Sequence, residues 1–390
     1  MSRELRALAV MGTSVLLLAV AVATSLRAQV AVPAAPPPRV QLAFDQGLIS
    51  AETGWVTEYA VGDRSRSRLW LTTDGGLHWK RSVLAGAPIY SRFFDSQRGA
   101  VVTVPGGDGR NSAQIWSTSD GGGHWELALL PEQPTAAYPQ AFFSDLDNGW
   151  ELRVGAKNEQ VALYHTANRG GRWQRLRLPK LPLPLSARIT YADADHGLIF
   201  VRPDYRSLRV ESTVDGGQTW IEAQLADPPI SGRSSVLPTS SRLFAGGDGV
   251  FDVRVASAGF EDPVDFVYTT RDFGRSWSAP IRLPRPDTAE PVTTFVSFAD
   301  PNVWWLAGGR QVFVADDGGR SWSSLRPGIP DGMYAAGLSA VSRLAAWLLV
   351  TGTPLVGLSS AHPVVLAERP RLFLTLDGGR TWSERTPPEG

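Results

Sequence analysis

Short runs of alternating apolar and polar residues recur along the chain from about residue 42 onward, without the 3.6-residue period of amphipathic helices. The runs come in pairs around a polar turn, which is the pattern of a β-hairpin. The hairpin pattern occurs seven times, as LISAETGWVTEYA (48–60), FFDSQRGAVVTV (93–104), FFSDLDNGWELRV (142–154), ITYADADHGLIFV (189–201), SRLFAGGDGVFDV (241–253), VSFADPNVWWLAG (296–308) and the more degenerate LSAVSRLAAWLLV (338–350). The pattern predicts an all-β protein.

A second motif, T-x-D-G-G-x-x-W, follows each hairpin after a further short β-rich run. We call each copy a box, and it joins a third strand to a fourth. The boxes are TTDGGLHW (72–79), TSDGGGHW (118–125), TANRGGRW (166–173), TVDGGQTW (213–220), TRDFGRSW (270–277), ADDGGRSW (315–322) and TLDGGRTW (375–382). Their acid and tryptophan positions are Asp74, Asp120, Asn168, Asp215, Asp272, Asp317 and Asp377, and Trp79, Trp125, Trp173, Trp220, Trp277, Trp322 and Trp382.

Seven units of four short antiparallel strands predict radial sheets around an axis. We therefore expect a seven-bladed β-propeller of four-stranded antiparallel blades over residues 42–390. A linear solenoid is the competing architecture. It would normally carry atypical repeats at its ends, whereas the first and last boxes here are among the most regular.

The residue types of the box suit a turn that clamps two strands. The threonine hydroxyl and the aspartate carboxylate can accept backbone N–H groups, and glycine allows positive φ. The tryptophan can bury its apolar face between neighbouring blades while its indole N–H finds a partner. The boxes are therefore predicted to be structural, with weaker turns where Asn168 replaces the acid and Ala315 replaces the threonine.

The amino terminus has the pattern of an export signal. Arg3 and Arg6 precede an uncharged, mainly apolar run over residues 7–26, and Ala21-Val22-Ala23 offers a small-x-small cleavage site. The length of the run also fits an uncleaved membrane anchor helix. Residues 27–41 form a proline-rich linker. The expected domains are a signal peptide or anchor (1–26), this linker, and a secreted or membrane-anchored extracytoplasmic propeller (42–390).

Composition removes several classes of function. The 38 basic and 38 acidic residues leave no net charge, which argues against nucleic acid as a partner. The absence of cysteine excludes disulfides, thiolate zinc sites and thiol nucleophiles. Five histidines without close pairing, and the lack of a P-loop, a dinucleotide fingerprint or a G-x-S-x-G elbow, give no basis for a metal or cofactor.

The two rims of the propeller should differ. Hairpin turns and boxes share one rim, the box rim, because successive antiparallel strands reverse direction. The opposite rim, here the loop rim, collects the longer insertions 62–68, 105–113, 202–207, 256–265 and 351–370. Loops on a rigid scaffold often carry binding residues. The candidate binding residues on this rim are Arg64, Arg66, Arg110, Asp204, Tyr205, Arg206, Glu261, Asp262, Asp265 and Glu368.

The boxes resemble the Asp-box, or BNR, repeats of sialidases, related glycosidases and sorting-receptor propellers. A GW-type hairpin followed by a box is most similar to the photosystem II assembly/stability factor-like family. This resemblance covers about residues 42–386 and implies a propeller whose boxes lie away from the functional site. The aromatic-Arg-Ile-Pro motif that a sialidase would carry is not found.

These observations predict a non-catalytic extracytoplasmic scaffold that binds a protein partner, with the assembly-factor role implied by the resemblance. The membrane is contacted only through the N-terminal segment. The alternative is a glycosidase, sialidase-like or other, which would need two suitably spaced carboxyl groups such as those of Asp204, Glu261 or Asp265. A third alternative is glycan binding without turnover. We assign no catalytic residue.

Overall fold

The computed structural model describes residues 42–60, 63–104, 113–131, 140–153, 161–181, 186–230, 233–257, 263–288, 292–355, 364–366 and 368–389. The signal or anchor segment 1–26 and the linker 27–41 lie outside the described residues, so both stay predictions. The described ranges contain no helix with the length and hydrophobicity of a transmembrane span.

The described chain forms seven antiparallel sheets, six of four strands and one of five. The four strands of each blade follow one another in sequence, except that one strand is inserted between the second and third strands of the last blade and pairs with the first blade. Blades 1 to 3 are β1 Leu42–Leu48, β2 Gly54–Ala60, β3 Asp63–Thr72 and β4 Lys80–Ala85; β5 Ala87–Phe93, β6 Gly99–Val104, β7 Gln114–Thr118 and β8 Glu126–Leu129; and β9 Gln140–Phe143, β10 Gly149–Arg153, β11 Ala162–Thr166 and β12 Gln174–Leu176.

Blades 4 and 5 are β13 Ser186–Tyr191, β14 Gly197–Arg202, β15 Arg209–Thr213 and β16 Ile221–Ala223; and β17 Arg233–Leu243, β18 Gly249–Ser257, β19 Val264–Thr270 and β20 Ile281–Arg282. Blades 6 and 7 are β21 Thr294–Phe298, β22 Trp304–Gly308, β23 Gln311–Ala315 and β24 Ser323–Leu325; and β25 Tyr334–Ala340, β26 Ala346–Thr351, the inserted β27 Val364–Leu366, β28 Arg371–Thr375 and β29 Ser383–Glu384. The predicted seven-bladed, all-β propeller is confirmed.

The hairpin between the first and second strands has a recurrent packing arrangement. Phe93, Phe143 and Tyr191 end their first strands directly opposite the glycines that begin the second strands. A Cβ atom on Gly149 would lie 2.4 Å from the ring of Phe143. The aromatic ring therefore occupies the space that a side chain at the glycine would need.

Aromatic side chains also pack the blades face to face. Trp150 of blade 3 stacks on Tyr191 of blade 4, with ring centroids 3.7 Å apart and planes 11° from parallel. Phe200 of blade 4 stacks on Phe251 of blade 5 at 3.9 Å. These rings lie among the fully buried side chains, so each contact removes large apolar surfaces from water where two blades meet.

Six of the seven boxes share one hydrogen-bond pattern. In the fourth box, the Thr213 hydroxyl donates to Asp215 at 2.8 Å and accepts the N–H of Gly217 at 2.9 Å. The box aspartate also accepts backbone N–H groups from the end of the turn, and such bonds favour the charged form. Bonds from His78, the backbone N–H first, lower the pKa of Asp74 to about 2.

Of the two divergent boxes, the third keeps this pattern with an amide in place of the carboxylate, and the sixth keeps part of it. Asn168 accepts the Thr166 hydroxyl at 2.9 Å and the N–H of Arg172 at 2.8 Å. In the sixth box Ala315 has no hydroxyl, while Asp317 still accepts the N–H of Ser321 at 3.0 Å. The turns predicted to be weaker therefore differ from the regular boxes by one missing charge in the third box and one missing hydroxyl in the sixth.

Ring closure uses a strand from the inserted segment of blade 7. β27 pairs antiparallel with the inner edge of β1, with Leu366 opposite Leu42, so blade 1 has five strands. Nearby, the buried carboxylate of Glu58 accepts bonds from Arg68 of its own blade and Arg369 of blade 7, at 3.2 and 3.3 Å. Blade 7 is thus tied to blade 1 by backbone and side-chain bonds.

Candidate functional site

The structure places the loop-rim candidates of blade 1 in a strand. Arg64 and Arg66 belong to β3, which pairs with β2 from Asp63 onward. The expectation of a loop over residues 62–68 was wrong, because the alternating Arg and Ser residues continue the strand pattern. The structure describes only the backbone of these two arginines. Arg110, Glu261 and Asp262 lie outside the described residues, so their roles stay predictions.

Asp204, Tyr205 and Arg206 lie in the exposed turn between β14 and β15. The Asp204 carboxylate accepts the N–H groups of Arg206 and Ser207, both at 2.7 Å, and the hydroxyl of Ser207. These bonds, the Ser207 hydroxyl first, lower the pKa of Asp204. The Tyr205 ring packs on the Arg202 guanidinium at 4.9 Å. Asp204 therefore acts here as the acceptor that closes its own turn.

Asp265 is buried in β19 rather than placed in a loop at the mouth of the axis. It receives two bonds from Arg254, at 2.7 and 3.1 Å, and Arg254 also donates to the backbone carbonyl of Thr294 in blade 6. The prediction that Asp265 lies in a loop was wrong, because the alternating strand pattern already begins at Val264. This register sets Asp265 opposite Arg254. The carboxylate thus pairs with an arginine between two blades.

Glu368 joins the two ends of the long insertion in blade 7. It accepts the N–H of Gly352 at 2.6 Å and the hydroxyl of Thr351 at 3.2 Å. The described loop-rim candidates therefore lie on blades 1, 4, 5 and 7, and the three carboxylates each have local partners. The structure does not bring them together as one described cluster.

The central channel is the concave surface that all seven blades share. A middle cavity of about 470 Å³ is lined by side chains from every first strand. A second cavity of about 560 Å³ lies at the box-rim end and shares some of the same lining residues. We call this second cavity the channel mouth. Three arginines of the first strands, Arg92, Arg188 and Arg242, line these two cavities.

Arg92 and Arg242 occupy equivalent positions in blades 2 and 5, one residue before the end of the first strand. Arg92 donates to the carbonyl of Phe143 in blade 3 at 3.0 Å. Arg242 donates to the carbonyl of Phe298 in blade 6 at 2.5 Å. Each arginine therefore links its blade to the next one at the channel mouth, with one N–H of its five used in that bond.

Serines take the same position in blades 6 and 7. The hydroxyl of Ser297 accepts the N–H of Ala340, and that of Ser339 accepts the N–H of Leu48, both at 2.9 Å. The position thus connects neighbouring blades by side-chain bonds in four of the seven blades. Arginine does so while also bringing a charge to the mouth.

The two arginines of the mouth repel each other. Burial and then the charge of Arg92 lower the pKa of Arg242 to about 10. No carboxylate lies among the described residues that line the mouth. Aromatic rings stand beside both charges, since Arg92 lies 4.9 Å from the Phe142 ring and Arg242 lies 5.0 Å from the Phe244 ring. The mouth can therefore receive an anionic group flanked by apolar surface.

Sequence reasoning missed these arginines, although a signal exists. Ser-Arg-Phe-Phe at 91–94 and Ser-Arg-Leu-Phe at 241–244 place arginine at the same point of two hairpins. An alignment of the seven hairpins would have shown that the second and fifth both have an arginine one residue before the end of the first strand. It would not have shown that both side chains face one cavity.

No protein-family model matches the sequence, and no curated protein matches it. Among solved structures, YCF48 from Cyanidioschyzon merolae is 15% identical, with a TM-score of 0.50, over 88% of this chain and 97% of that chain. The polysaccharide lyase PL25 ulvanlyase, free or bound to -[GlcA(1-4)Rha3S]-, is 11% identical, with a TM-score of 0.56, over 88% and 95%. YCF48 bound to a D1 peptide is 16% identical, with a TM-score of 0.49, over 82% and 93%. The chain shares the fold of YCF48 from Cyanidioschyzon merolae and of the ulvanlyase.

Proposed function

We propose that the protein is a non-catalytic, extracytoplasmic scaffold of the Asp-box repeat kind that binds a protein partner at its channel mouth. The observation that carries this proposal is the pair Arg92 and Arg242 beside aromatic rings in a concave mouth. Arginine and aromatic residues are enriched at the energetically important centres of protein interfaces. The box-rim end of the channel thus replaces the loop rim as the proposed binding surface.

The chemistry of the mouth favours a segment of the partner that carries a carboxylate. One carboxylate between the two guanidiniums would replace their repulsion by two attractive, charge-assisted hydrogen bonds. A cavity of about 560 Å³ admits a few side chains of such a segment. The predicted export signal supports an encounter with this partner outside the cytoplasm, and the resemblance to assembly factors supports a scaffolding role.

The test compares partner capture by three forms of the tagged full-length chain after crosslinking in host membranes. They are the wild type, the double variant Arg92→Gln/Arg242→Gln, and the control Arg271→Gln/Arg275→Gln, which changes two exposed arginines of the fifth box. We expect the wild type and the control to retain a protein with an acidic segment, and the double variant to retain at least about tenfold less. Equal capture by a correctly folded double variant would refute the proposal.

An anionic glycan is the second candidate ligand. The same two guanidiniums could pair with uronate or sulfate groups, and the ulvanlyase with a related fold was solved with a bound uronate and sulfated rhamnose. A glycosidase would need two free carboxyl groups, whereas Asp204 and Asp265 are held in a turn and an ion pair. Turnover of fluorogenic glycosides or sialosides would show that the ligand is a glycan and not a protein. Binding to a glycan array that the Arg92→Gln/Arg242→Gln variant loses would show the same.

A further inference from the structure

We propose that the middle of the channel is a binding site for a small organic carboxylate, centred on Arg188 of blade 4. The site lies in the cavity of about 470 Å³, which adjoins the mouth that carries Arg92 and Arg242. Its ligand is a free small molecule, so this inference goes beyond the proposed function and does not require a protein partner.

The position of Arg188 is set by the register of β13. Arg188 pairs with Phe200, three residues before the Tyr191 and Gly197 pair that ends the hairpin ladder. Gln140 of blade 3 and Ser240 of blade 5 hold the corresponding position in their own first strands, and both also line the cavity. Three neighbouring blades therefore place a guanidinium, an amide and a hydroxyl at one level of the channel wall.

Arg188 is half-buried, and its charge has no partner among the described residues. It forms no hydrogen bond or ion pair with any residue that the structure describes, and burial lowers its pKa. A guanidinium carries five N–H donors. Partial removal of such a charge from water without a compensating partner costs free energy. A carboxylate beside Arg188 would accept two of these donors in the bidentate geometry that suits a guanidinium.

The rest of the cavity favours an anion with a short apolar body. Asp45 is the one carboxylate among the described lining residues, and it lies on blade 1, three blades from Arg188 around the ring. It accepts the N–H of its own neighbour Gln46 at 2.8 Å. Much of the remaining wall is apolar, with Ile89, Phe142, Ile189, Phe295 and Leu338 among the lining residues. The volume is within the range of small-molecule sites.

The experiment measures thermal unfolding and calorimetric binding of the purified full-length chain with acetate, butyrate and benzoate. Butyramide and benzamide serve as neutral controls of the same shape, and sulfate as an inorganic oxyanion. We expect at least one carboxylate to raise the Tm saturably, by about 4 °C at about one hundred times its Kd. The amides should leave the Tm unchanged, and sulfate should bind more weakly because it lacks the apolar body.

Two variants decide whether Arg188 carries the site. Arg188→Met should weaken carboxylate binding by at least about tenfold. Without ligand and at low salt, its Tm should equal or exceed the wild-type value because a partly desolvated, unpaired charge is gone. Arg326→Met, at an exposed position outside the channel, should bind as the wild type does. Absence of saturable binding by all three carboxylates, stronger binding of sulfate, or binding that survives Arg188→Met would overturn the proposal.

These readouts need no partner, so they separate this proposal from the one above. Carboxylate binding by the Arg92→Gln/Arg242→Gln variant at wild-type strength would assign the ligand to the middle cavity. Carboxylate binding that this double variant loses and Arg188→Met keeps would assign the ligand to the mouth and would overturn the inference. Loss of partner capture by the Arg92→Gln/Arg242→Gln variant would support the proposed function, whichever cavity binds the carboxylate.

Discussion

In each regular box, the threonine hydroxyl both donates one hydrogen bond and accepts another. Thr213 is buried, donates to Asp215 and accepts the N–H of Gly217. A buried N–H group that loses its acceptor costs more than the bond itself contributes. The sixth box, with Ala315, shows that one such hydroxyl can be missing while the turn still forms.

Thr213→Val keeps the shape of the side chain and leaves the N–H of Gly217 without its acceptor. We expect the free energy of unfolding, measured in urea, to fall by about 1–3 kcal/mol. Thr219→Val is the matched control, because it removes an exposed hydroxyl bond to the same Asp215 and should change stability by less than about 0.5 kcal/mol. Equal losses in both variants would contradict the role of the buried hydroxyl.

Asp252 is a buried carboxyl group of another kind. It lies in β18, accepts the Thr239 hydroxyl, and one of its oxygens has no hydrogen-bond partner among the described residues. Burial first, and then the charge of Asp265, raise its pKa to about 8, although Arg254 and the Thr239 bond act in the opposite direction. In the folded protein this group is therefore neutral at pH values where the unfolded chain would ionise it.

The sign of the pH dependence follows from this difference. Between about pH 4 and pH 8 the folded state keeps a proton at Asp252 that the unfolded state has lost, so stability falls as pH rises. The slope contributed by one proton is about 1.4 kcal/mol per pH unit at most. Asp252→Asn should flatten urea stability across this window and be the more stable protein at pH 8. An unchanged slope in this variant would show that another group is responsible.

At the scale of the strand pair, the ring-over-glycine arrangement sets the geometry of the hairpins. The first strand ends in a large side chain that covers the glycine opening the second strand, as Phe143 covers Gly149. A bulky side chain thus packs over the one residue type that leaves room for it. The same pairing in blades 2 and 4 makes it a shared feature of neighbouring repeats.

Gly149→Ala would bring a Cβ atom within 2.4 Å of the Phe143 ring. We expect a loss of about 1–3 kcal/mol in the free energy of unfolding, because the ring must move in a packed core. Gly328→Ala is the control, since nothing lies within 4 Å of the added atom. It should be neutral or stabilise by up to about 1 kcal/mol. A Gly149→Ala protein as stable as this control would contradict the packing argument.

The hairpins and boxes could be predicted because their signals are local. Even the degenerate hairpin 338–350 corresponds to β25 and β26. The prediction for Asp265 was wrong because the whole insertion 256–265 was interpreted as a loop. The alternation of apolar and polar residues extends the strands into this segment. Arg92 and Arg242 were missed for a different reason. They lie far apart in sequence, and only the curvature of the ring brings their side chains to one mouth.

For the whole molecule, closing the ring requires the first and last blades to bind each other. Glu58 is nearly inaccessible, at 3% exposure, and accepts bonds from arginines of both blades. The Trp79 and Trp347 rings pack across the same junction, with centroids 5.8 Å apart. The junction therefore combines a shared carboxylate with apolar contact.

Glu58→Gln removes the charge that Arg68 and Arg369 share and keeps the volume. We expect a loss of about 1–3 kcal/mol and faster hydrogen exchange in β1, β2 and β25 than in blades 3 and 4. Glu384→Gln breaks the more exposed pair with Arg371 and should cost less than about 1 kcal/mol. Uniform exchange changes around the whole ring would count against a local weakening at the junction.

The strand that blade 7 lends to blade 1 has a consequence for the order of events during synthesis. The inner edge of β1 can acquire its partner only after residues 364–366 have been made. An unpaired strand edge is a template for pairing with another chain. A nascent chain with six finished blades thus still exposes this edge, together with the faces of blades 1 and 6 that blade 7 will cover. The interval before the last blade arrives is when the protein is most open to misassociation, and one late docking step ends it.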